Sequence, residues 1–492
     1  MKLNQLLAQL NKKTVLGDSG DVEIKGIVYD PLRVEPGFLY VAINIYTQLD
    51  KIELPDGHPF VADAVANGAV AILAQKDVDV PPNVVKITVP DSRETLSILA
   101  NHFYNYPSRN IKLLGVTGTN GKTTTTHIIE SIFDQHYTVG LMGTLYFKID
   151  GNIFHSKDTT PEPPDLQAIF SDMNQQGCDY CALEASSHGI DFHRLDGLDF
   201  EVGIFTNLSP DHLDYHKTMD NYRKTKLRFF NWLAEDKFAI VNVDDPYAKD
   251  FLAATVAQKL TTGIERPADV TAKNIRYSLN GTQYDLVTPA GTTSIRSKLV
   301  GRYNVYNTLS AVAAAVSQGI GLEDIKKGIE RPILVAGRFE MVDCGQDFAM
   351  VVDYAHTPDS MENILSLAKS LNPSRIITVF GCGGDRDPKK RPQMGEIAAK
   401  YSDIAIITSD NPRNEDPMQI INHILAGMPE TPGEVIVDRE AAIQRAAEVA
   451  QIGDLVLILG KGHEKTQIIK NKTIPFSDRE VAEKAISRVL IP

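Results

Sequence analysis

The stretch Leu113-Leu-Gly-Val-Thr-Gly-Thr-Asn-Gly-Lys-Thr-Thr124 reads as an apolar strand, a tight glycine turn, and a helix opened by Lys122 and Thr123. Such a turn aims backbone N–H groups and a helix N-terminus at an anion. The Lys adds positive charge, and the Thr hydroxyl can hold Mg2+. The general phosphate-loop pattern G-x-x-x-x-G-K-[ST] begins with a Gly where this chain has Val116; the glycines here are Gly118 and Gly121. The alternative is an ordinary strand-to-helix turn with an exposed Lys. The strand, glycine and helix context favours the cradle. ATP is therefore expected at Gly118, Thr119, Asn120, Gly121, Lys122, Thr123 and Thr124.

The bulk of the chain sets limits around this loop. Its 492 residues suffice for about three domains at ~150 residues each. With 43% hydrophobic and 23% charged residues it falls in the ordinary soluble globular class. A net charge of −13 argues against nucleic acid as a partner, and obliges any polyanionic substrate to find a local basic pocket. Four cysteines are too few for a disulfide framework, and Cys178-Asp-Tyr-Cys181 has no second pair at zinc spacing. Small apolar residues near a core are the better reading of that pair. A reduced, cytoplasmic setting fits. The N-terminal stretch Met1 to Leu10 reads as a short amphipathic helix, not a signal peptide, and no run approaches the ~18 apolar residues of a membrane span. A monomer is the default expectation.

Three units are expected, at 1–106, 107–336 and 337–492. The first is a small α/β unit, with strands at Phe38–Ile43 and Ala69–Leu73, a helix at Phe60–Asn67, and a long irregular loop at Asn44–Gly57. The second has strands at 112–117, 180–184, 200–206 and 237–243, and helices at 123–134, 165–176, 221–234 and 304–318. This alternation predicts a doubly wound, mostly parallel sheet of the phosphate-loop ATPase type. Residues 270–300, with Asn280-Gly281 and Ala290-Gly291, read as a hairpin insertion. The third is a Rossmann-like α/β unit, with strands at 375–380, 403–408, 434–437 and 454–459 and Pro392 in the first turn of a helix.

Candidate chemistry collects past the strand ends, where open α/β sheets bind ligands. Glu184 ends an apolar strand and is a natural Mg2+ ligand; His212 lies just past another strand. Asp211, His212, Asp214 and His216 also raise zinc, but the cluster has no thiols and zinc is ranked low. Lys224 and Lys226 share a helix with Arg223 and Arg228; spacing alone does not say which lysine lines the site. Three polar loops, Asp385-Arg-Asp387, Asp410-Asn-Pro-Arg413 and Gly460-Lys-Gly-His-Glu464, end strands of one sheet and should converge on one pocket. Acids beside Arg suit a zwitterion such as an amino acid. ATP with an amine substrate suggests amide ligation through an acyl phosphate.

Gly118-Thr-Asn-Gly-Lys-Thr-Thr124, Glu184-Ala-Ser-Ser-His188, Thr206-Asn-Leu-Ser-Pro-Asp-His212 and Asn304-Val-Tyr-Asn307 resemble the Mur ligases. The likeness runs in order from about residue 107 to 490 and is strongest to the branch that adds the third residue of the peptidoglycan stem peptide. The resemblance implies that Lys122 contacts the transferred phosphate. It implies Thr123, Glu184, His212 and Lys226 around Mg2+, with Lys226 carbamylated. It places Asn304, Asn307, Asp353 and His356 near the nucleotide. Thr159, Thr160, Ser186 and Arg194 resemble contacts to a UDP-MurNAc-dipeptide. Arg386, Asp410, Asn411, Arg413, Gly460 and Glu464 match an amino-acid pocket, and Asp410-Asn-Pro-Arg413 is the form associated with meso-diaminopimelate.

The chain departs from the family pattern in three places. Asp30-Pro-Leu-Arg33 stands where Asp-Ser-Arg is usual, so a Ser that helps hold uridine diphosphate is Pro31. The loop from Asn44 is longer than usual, and Phe192 stands where Gln often lies. Three readings follow: a ligase making the tripeptide, a paralogue using a different carboxylate, and a non-catalytic binding or regulatory protein. The presence of Lys122, Thr123, Glu184, His212 and Lys226 puts the last reading third.

Overall fold

The computed structural model describes residues 1–43, 56–155, 158–430 and 433–490. Among them the strands form three large sheets and a two-stranded ribbon. The expected loop at 44–57 lies, for residues 44–55, outside the described residues.

The N-terminal sheet runs Thr14–Leu16, Val85–Thr88, Ala71–Ala74, Phe38–Ala42, Gly26–Val28, parallel except for its first pair. Leu3, Leu6, Leu7 and Leu10 of the first ten residues are buried against it, which accounts for their helical spacing. The expected helix at Phe60–Asn67 begins one residue later, at Val61, after a 3-10 turn at His58–Phe60.

The central sheet places the Lys112–Thr117 strand between Tyr180–Glu184 and Phe200–Phe205. Outward on one side lie Phe238–Asn242, Gln258–Gly263 and Val270–Ser278, and on the other Val139–Met142, all parallel. Such a sheet is covered on both faces. Ile128, Ile129 and Ile132 of the Lys122–Phe133 helix and the alanines of Arg302–Ser317 fill one face. Leu166 and Phe170 of Pro163–Gln175, with Phe229 and Phe230 of Met219–Asn231, fill the other.

The expected hairpin insertion at 270–300 is instead three strands, Val270–Ser278, Gly281–Thr288 and Gly291–Ser297, which continue the central sheet. Both expected turns form, each with its Gly at φ 136°. The first strand pairs in parallel with Gln258–Gly263. Local turn chemistry indicated a hairpin, but could not reveal that long-range pairing.

The C-terminal sheet runs Glu340–Val342, Ala349–Asp353, Leu455–Leu459, Ile376–Phe380, Ile404–Ile407, Glu434–Val435, parallel after its antiparallel first pair. Its last strand is shorter than the expected 434–437 and is exposed. Polar bonds join the units. Tyr29 Oη donates to Asp165 at 2.7 Å, as does Arg33 Nη1, and Arg93 Nη1 reaches both Glu162 oxygens at 3.2 Å.

Phe229 sits on Gly115 so closely that a Cβ there would lie 2.5 Å from its ring. Phe229→Ala should cost about 3–5 kcal/mol. Denaturant unfolding measures it, and a loss under 1 kcal/mol would contradict the packing.

Candidate functional site

The carboxyl ends of the central parallel strands and the Asp353 end of the C-terminal sheet open onto one cavity of about 1100 Å³. The phosphate loop, Glu184, Arg194, His212, Lys226, Asn307, Arg338, His356 and Arg386 all line it.

The loop is shaped by backbone proximity. Gly118 has φ 147° and Gly121 φ 90°. A Cβ at Gly118 would lie 1.9 Å from Thr206 Oγ1, and one at Gly121 2.1 Å from Asn307 Oδ1. Only Gly meets both the torsion and the space. Thr119 N donates to Asn207 O at 2.9 Å and Asn120 N to Asn207 Oδ1 at 2.9 Å, so the loop is fixed to the end of the next strand. Lys122 folds back, giving Nζ bonds of 2.9 Å to Gly118 O and 2.8 Å to Thr119 O.

Thr123 Oγ1 donates to Glu184 Oε1 at 2.9 Å, and Thr144 holds the same carboxylate through its N–H at 2.8 Å and its hydroxyl at 3.1 Å. These are hard oxygen donors of the kind Mg2+ takes. Lys226 is buried, with Nζ 3.0 Å from Gly118 O and 4.8 Å from the Tyr222 ring centre, while Lys224 is exposed and paired with Asp220 at 2.7 Å. The structure thus makes the choice that spacing left open. Burial, and then the neighbouring Lys122, push the Lys226 amine well below its ordinary range. Burial lowers Lys122 too, against Glu184 and Asp211. His212 opens to the cavity, with its ring 4.9 Å from that of His188. Desolvation there pushes its imidazole down, opposed by Asp211, with His188 and Lys122 adding to the fall.

On the wall beside Glu184, Thr160 Oγ1 lies 3.0 Å from both Ser186 Oγ and Glu184 O, and Arg194 Nη1 donates to Thr160 O at 2.7 Å. Thr159 lies 3.1 Å from Thr144 through their hydroxyls. On the opposite side Asn307 Nδ2 donates to Asn304 Oδ1 at 3.1 Å; Asn307 reaches the cavity, whereas Asn304 is buried behind it on Val300 O. Asp353 accepts from Phe339 N and Ala355 N at 2.6 and 2.8 Å, and burial pushes its carboxyl up. His356 Nδ1 lies 2.9 Å from Tyr354 O.

The three C-terminal loops do come together. Arg413 Nη1 donates to Gly384 O at 2.8 Å, and Asn411 Nδ2 to Glu464 Oε2 at 2.8 Å. A Cβ on Gly460 would lie 2.5 Å from Asp410 Oδ2. Of the expected set only Arg386 lines the large cavity; Asp410, Asn411, Arg413, Gly460 and Glu464 do not, although Gly460 N donates to the carbonyl of the cavity-lining Asp353 at 3.1 Å. Burial and the neighbouring Arg386 lower the Arg413 guanidinium, a setting that favours an incoming anion.

Sequence reasoning missed several members. Asp359 accepts from Asn120 Nδ2 at 2.8 Å and Ser209 Oγ at 3.2 Å, tying the phosphate loop to the C-terminal unit; its signal was the Thr357-Pro-Asp359 helix start. Arg338 lines the cavity with its guanidinium 4.7 Å from the Tyr354 ring centre. Buried Lys461 donates to Asn411 Oδ1 at 3.1 Å and Glu464 Oε2 at 2.8 Å. Buried Arg391 clamps Glu415 with two 2.8 Å bonds.

A phosphate cradle and a polar pocket, carried on two doubly wound sheets around one cavity, define a nucleotide-using ligase. The Mur ligase middle domain matches residues 116–315, and the Mur ligase glutamate ligase domain matches 337–462. The chain belongs to the Mur ligase family. It is similar to the UDP-N-acetylmuramoyl-L-alanyl-D-glutamate–2,6-diaminopimelate ligase of Bacillus velezensis, at 45% identity over 99% of each chain. The enzyme of the same name from Syntrophomonas wolfei is 43% identical over 98% of each. A solved structure of a ligase with that name superposes at a TM-score of 0.69 with 32% identity, covering 100% of both chains. Among the described residues, no helix is long and apolar enough to cross a membrane.

His463 faces the Tyr354 ring at 5.1 Å, and burial, then Arg338 and His356, push its imidazole down to about 4. An unfolded His titrates near ~6.5, so between those values the unfolded chain binds the extra proton. The stability His463 contributes is complete above about pH 6.5 and is lost as pH falls towards 4. His463→Gln should flatten the fall of Tm across that window, as read by calorimetry. An unchanged slope would contradict the assignment.

Proposed function

We propose that this chain is an ATP-dependent amide ligase that joins meso-diaminopimelate to the D-Glu carboxylate of UDP-MurNAc-L-Ala-D-Glu, in peptidoglycan precursor synthesis. The observation that carries it is one cavity shared by the phosphate cradle and the Thr160–Ser186–Arg194 wall. Full-length similarity to ligases of that name supports the substrate pair. In this reading residues 1–106 receive the UDP-sugar, 107–336 hold ATP, and 337–492 bind the amino acid.

The chemistry runs in two displacements. A D-Glu carboxylate oxygen attacks the γ-phosphorus and ADP leaves; the neutral amine nitrogen then attacks the acyl carbon, loses a proton, and phosphate leaves. Lys122, whose Nζ lies on the loop carbonyls Gly118 O and Thr119 O, would offset the charge of the transferred phosphoryl group. Thr123, Glu184, His212 and Lys226 would hold Mg2+, which when bound polarises the phosphate oxygens. Thr144 keeps Glu184 turned towards Thr123. Asn307 and Asp353 border the nucleotide side, and Thr160, Ser186 and Arg194 the dipeptide side.

Lys226 is read as the carbamylated residue. CO2 adds only to a neutral amine, forming an N–C bond and releasing a proton, and burial, with Lys122 beside it, shifts the Lys226 amine towards its neutral form. The carbamate would supply an oxygen ligand where the chain itself offers an amine.

Phosphate release with UDP-MurNAc-L-Ala-D-Glu, ATP, and separately meso-diaminopimelate, L-lysine or L-ornithine tests the reading, with product masses identifying the tripeptide. No turnover with any of the three amines would reject it. Lys122→Ala should lower turnover by about 10²–10³-fold or more with the fold intact; an active, folded variant would remove the cradle from the mechanism. Arg413→Ala should weaken use of meso-diaminopimelate roughly tenfold to a hundredfold more than use of lysine, which has no second carboxylate. Equal losses would exclude Arg413 from selectivity.

A further inference from the structure

Two strands of the C-terminal sheet, Ile404–Ile407 and Leu455–Leu459, lead into the loops that begin at Asp410 and Gly460. The carbonyls just before those loops, Ser409 O and Leu459 O, accept from one side chain, Arg439, at 3.4 Å from Nη1 and 3.0 Å from Nη2. The same guanidinium grips Asp478 through Nε to Oδ1 and Nη2 to Oδ2, each at 2.7 Å. Both side chains are 0% exposed. Arg439 opens the helix Arg439–Val449, and Asp478 opens Asp478–Leu490.

The cavity is not what this pair serves directly, since neither residue lines it. A buried ion pair is also a poor device for stability alone, because apolar residues of similar volume commonly serve as well. A planar, always-charged fork does something an apolar residue cannot: it fixes two carbonyls and a carboxylate relative to one another. Here the two carbonyls sit one residue upstream of Asp410 and of Gly460. Those loops have no slack, because Gly460 touches Asp410 and Asn411 bonds Glu464 across them.

We propose that Arg439, oriented by Asp478, is a positioning residue for the incoming amino acid, setting the separation and register of the Asp410–Asn411 and Gly460–Glu464 loops. The proposal rests on reading those loops as the amino-acid pocket. A displacement at the strand ends would be transmitted to the Asn411–Glu464 bond and so to the amine of the substrate. ATP, bound on the central sheet, would not sense it.

The test uses the full chain carrying R439M together with D478L, which removes both charges and leaves no lone ion in the core. The expected result is a Tm within a few degrees of the parent, a KM for diaminopimelate raised at least tenfold, and a KM for ATP within twofold. Amide exchange at Asn411 and Glu464 should quicken. A folded double variant with unchanged diaminopimelate KM, alongside an Asn411→Ala variant whose KM rises, overturns the positioning role. If Asn411→Ala also leaves that KM unchanged, the pocket reading has failed and the proposal falls with it. Should the double variant not fold, R439K is measured in the same way: it keeps a cation at Asp478 but cannot bridge both carbonyls. An unchanged diaminopimelate KM there overturns the proposal.

Discussion

Everything in the site depends on how near the phosphate loop comes to the next strand end. Between Gly118 and Thr206, and between Gly121 and Asn307, there is no room for a single methyl group. That proximity turns loop carbonyls inward as well as N–H groups. Gly118 O accepts from Lys122 Nζ at 2.9 Å and from Lys226 Nζ at 3.0 Å. Burial lowers both amines, and Lys122 lowers Lys226 further. The chain as a whole carries −13, yet Lys122, Arg194, Lys226, Arg338 and Arg386 all line this cavity, beside its carboxylates.

The same loop is not the property of one sheet. Asn120 reaches Asp359 at the head of the Pro358–Ser370 helix, and Ser209 meets the same oxygen. Burial raises the Asp359 carboxyl, against those two bonds. The contact fixes the distance between the cradle and the Asp353–His356 edge of the cavity. Closure of a reaction chamber between sheets needs a tie of this kind, because acyl transfer must exclude water.

Much of this was legible in the sequence, for identifiable reasons. Strand and helix positions around the cradle followed from apolar runs and glycine turns, which act locally. Spacing alone could not tell Lys226 from Lys224, because a charge run on a helix looks the same whichever residue faces inward; only the family resemblance singled out Lys226. Arg391, Arg439 and Lys461 were invisible for the same reason: a cation in a helix or loop is ordinarily solvated, and only the fold shows these three wholly enclosed. Pairing was the other blind spot. The strand at Val270–Ser278 continues a sheet through contacts that no turn motif encodes. The convergence of the three C-terminal loops was readable from strand ends, but the interior bonds that draw them beside the cavity were not.

The departures from the family pattern have physical counterparts. Pro31 opens a short 3-10 turn with Asp30 accepting from Leu32 N, and Arg33 is drawn to Asp165 of the central unit. Phe192 lies beside two guanidiniums, Arg93 at 4.7 Å and Arg194 at 5.5 Å from its ring centre. Both arginines also pair with Glu162, at 3.2 and 2.7 Å. A polar side chain at Phe192 could donate one hydrogen bond to a ligand; the ring offers its faces to cations instead. The ring thus contacts Arg194 while Arg194 donates to Thr160 O. Arg93 comes from the N-terminal unit and Arg194 from the central one, so Glu162 is gripped by one arginine from each.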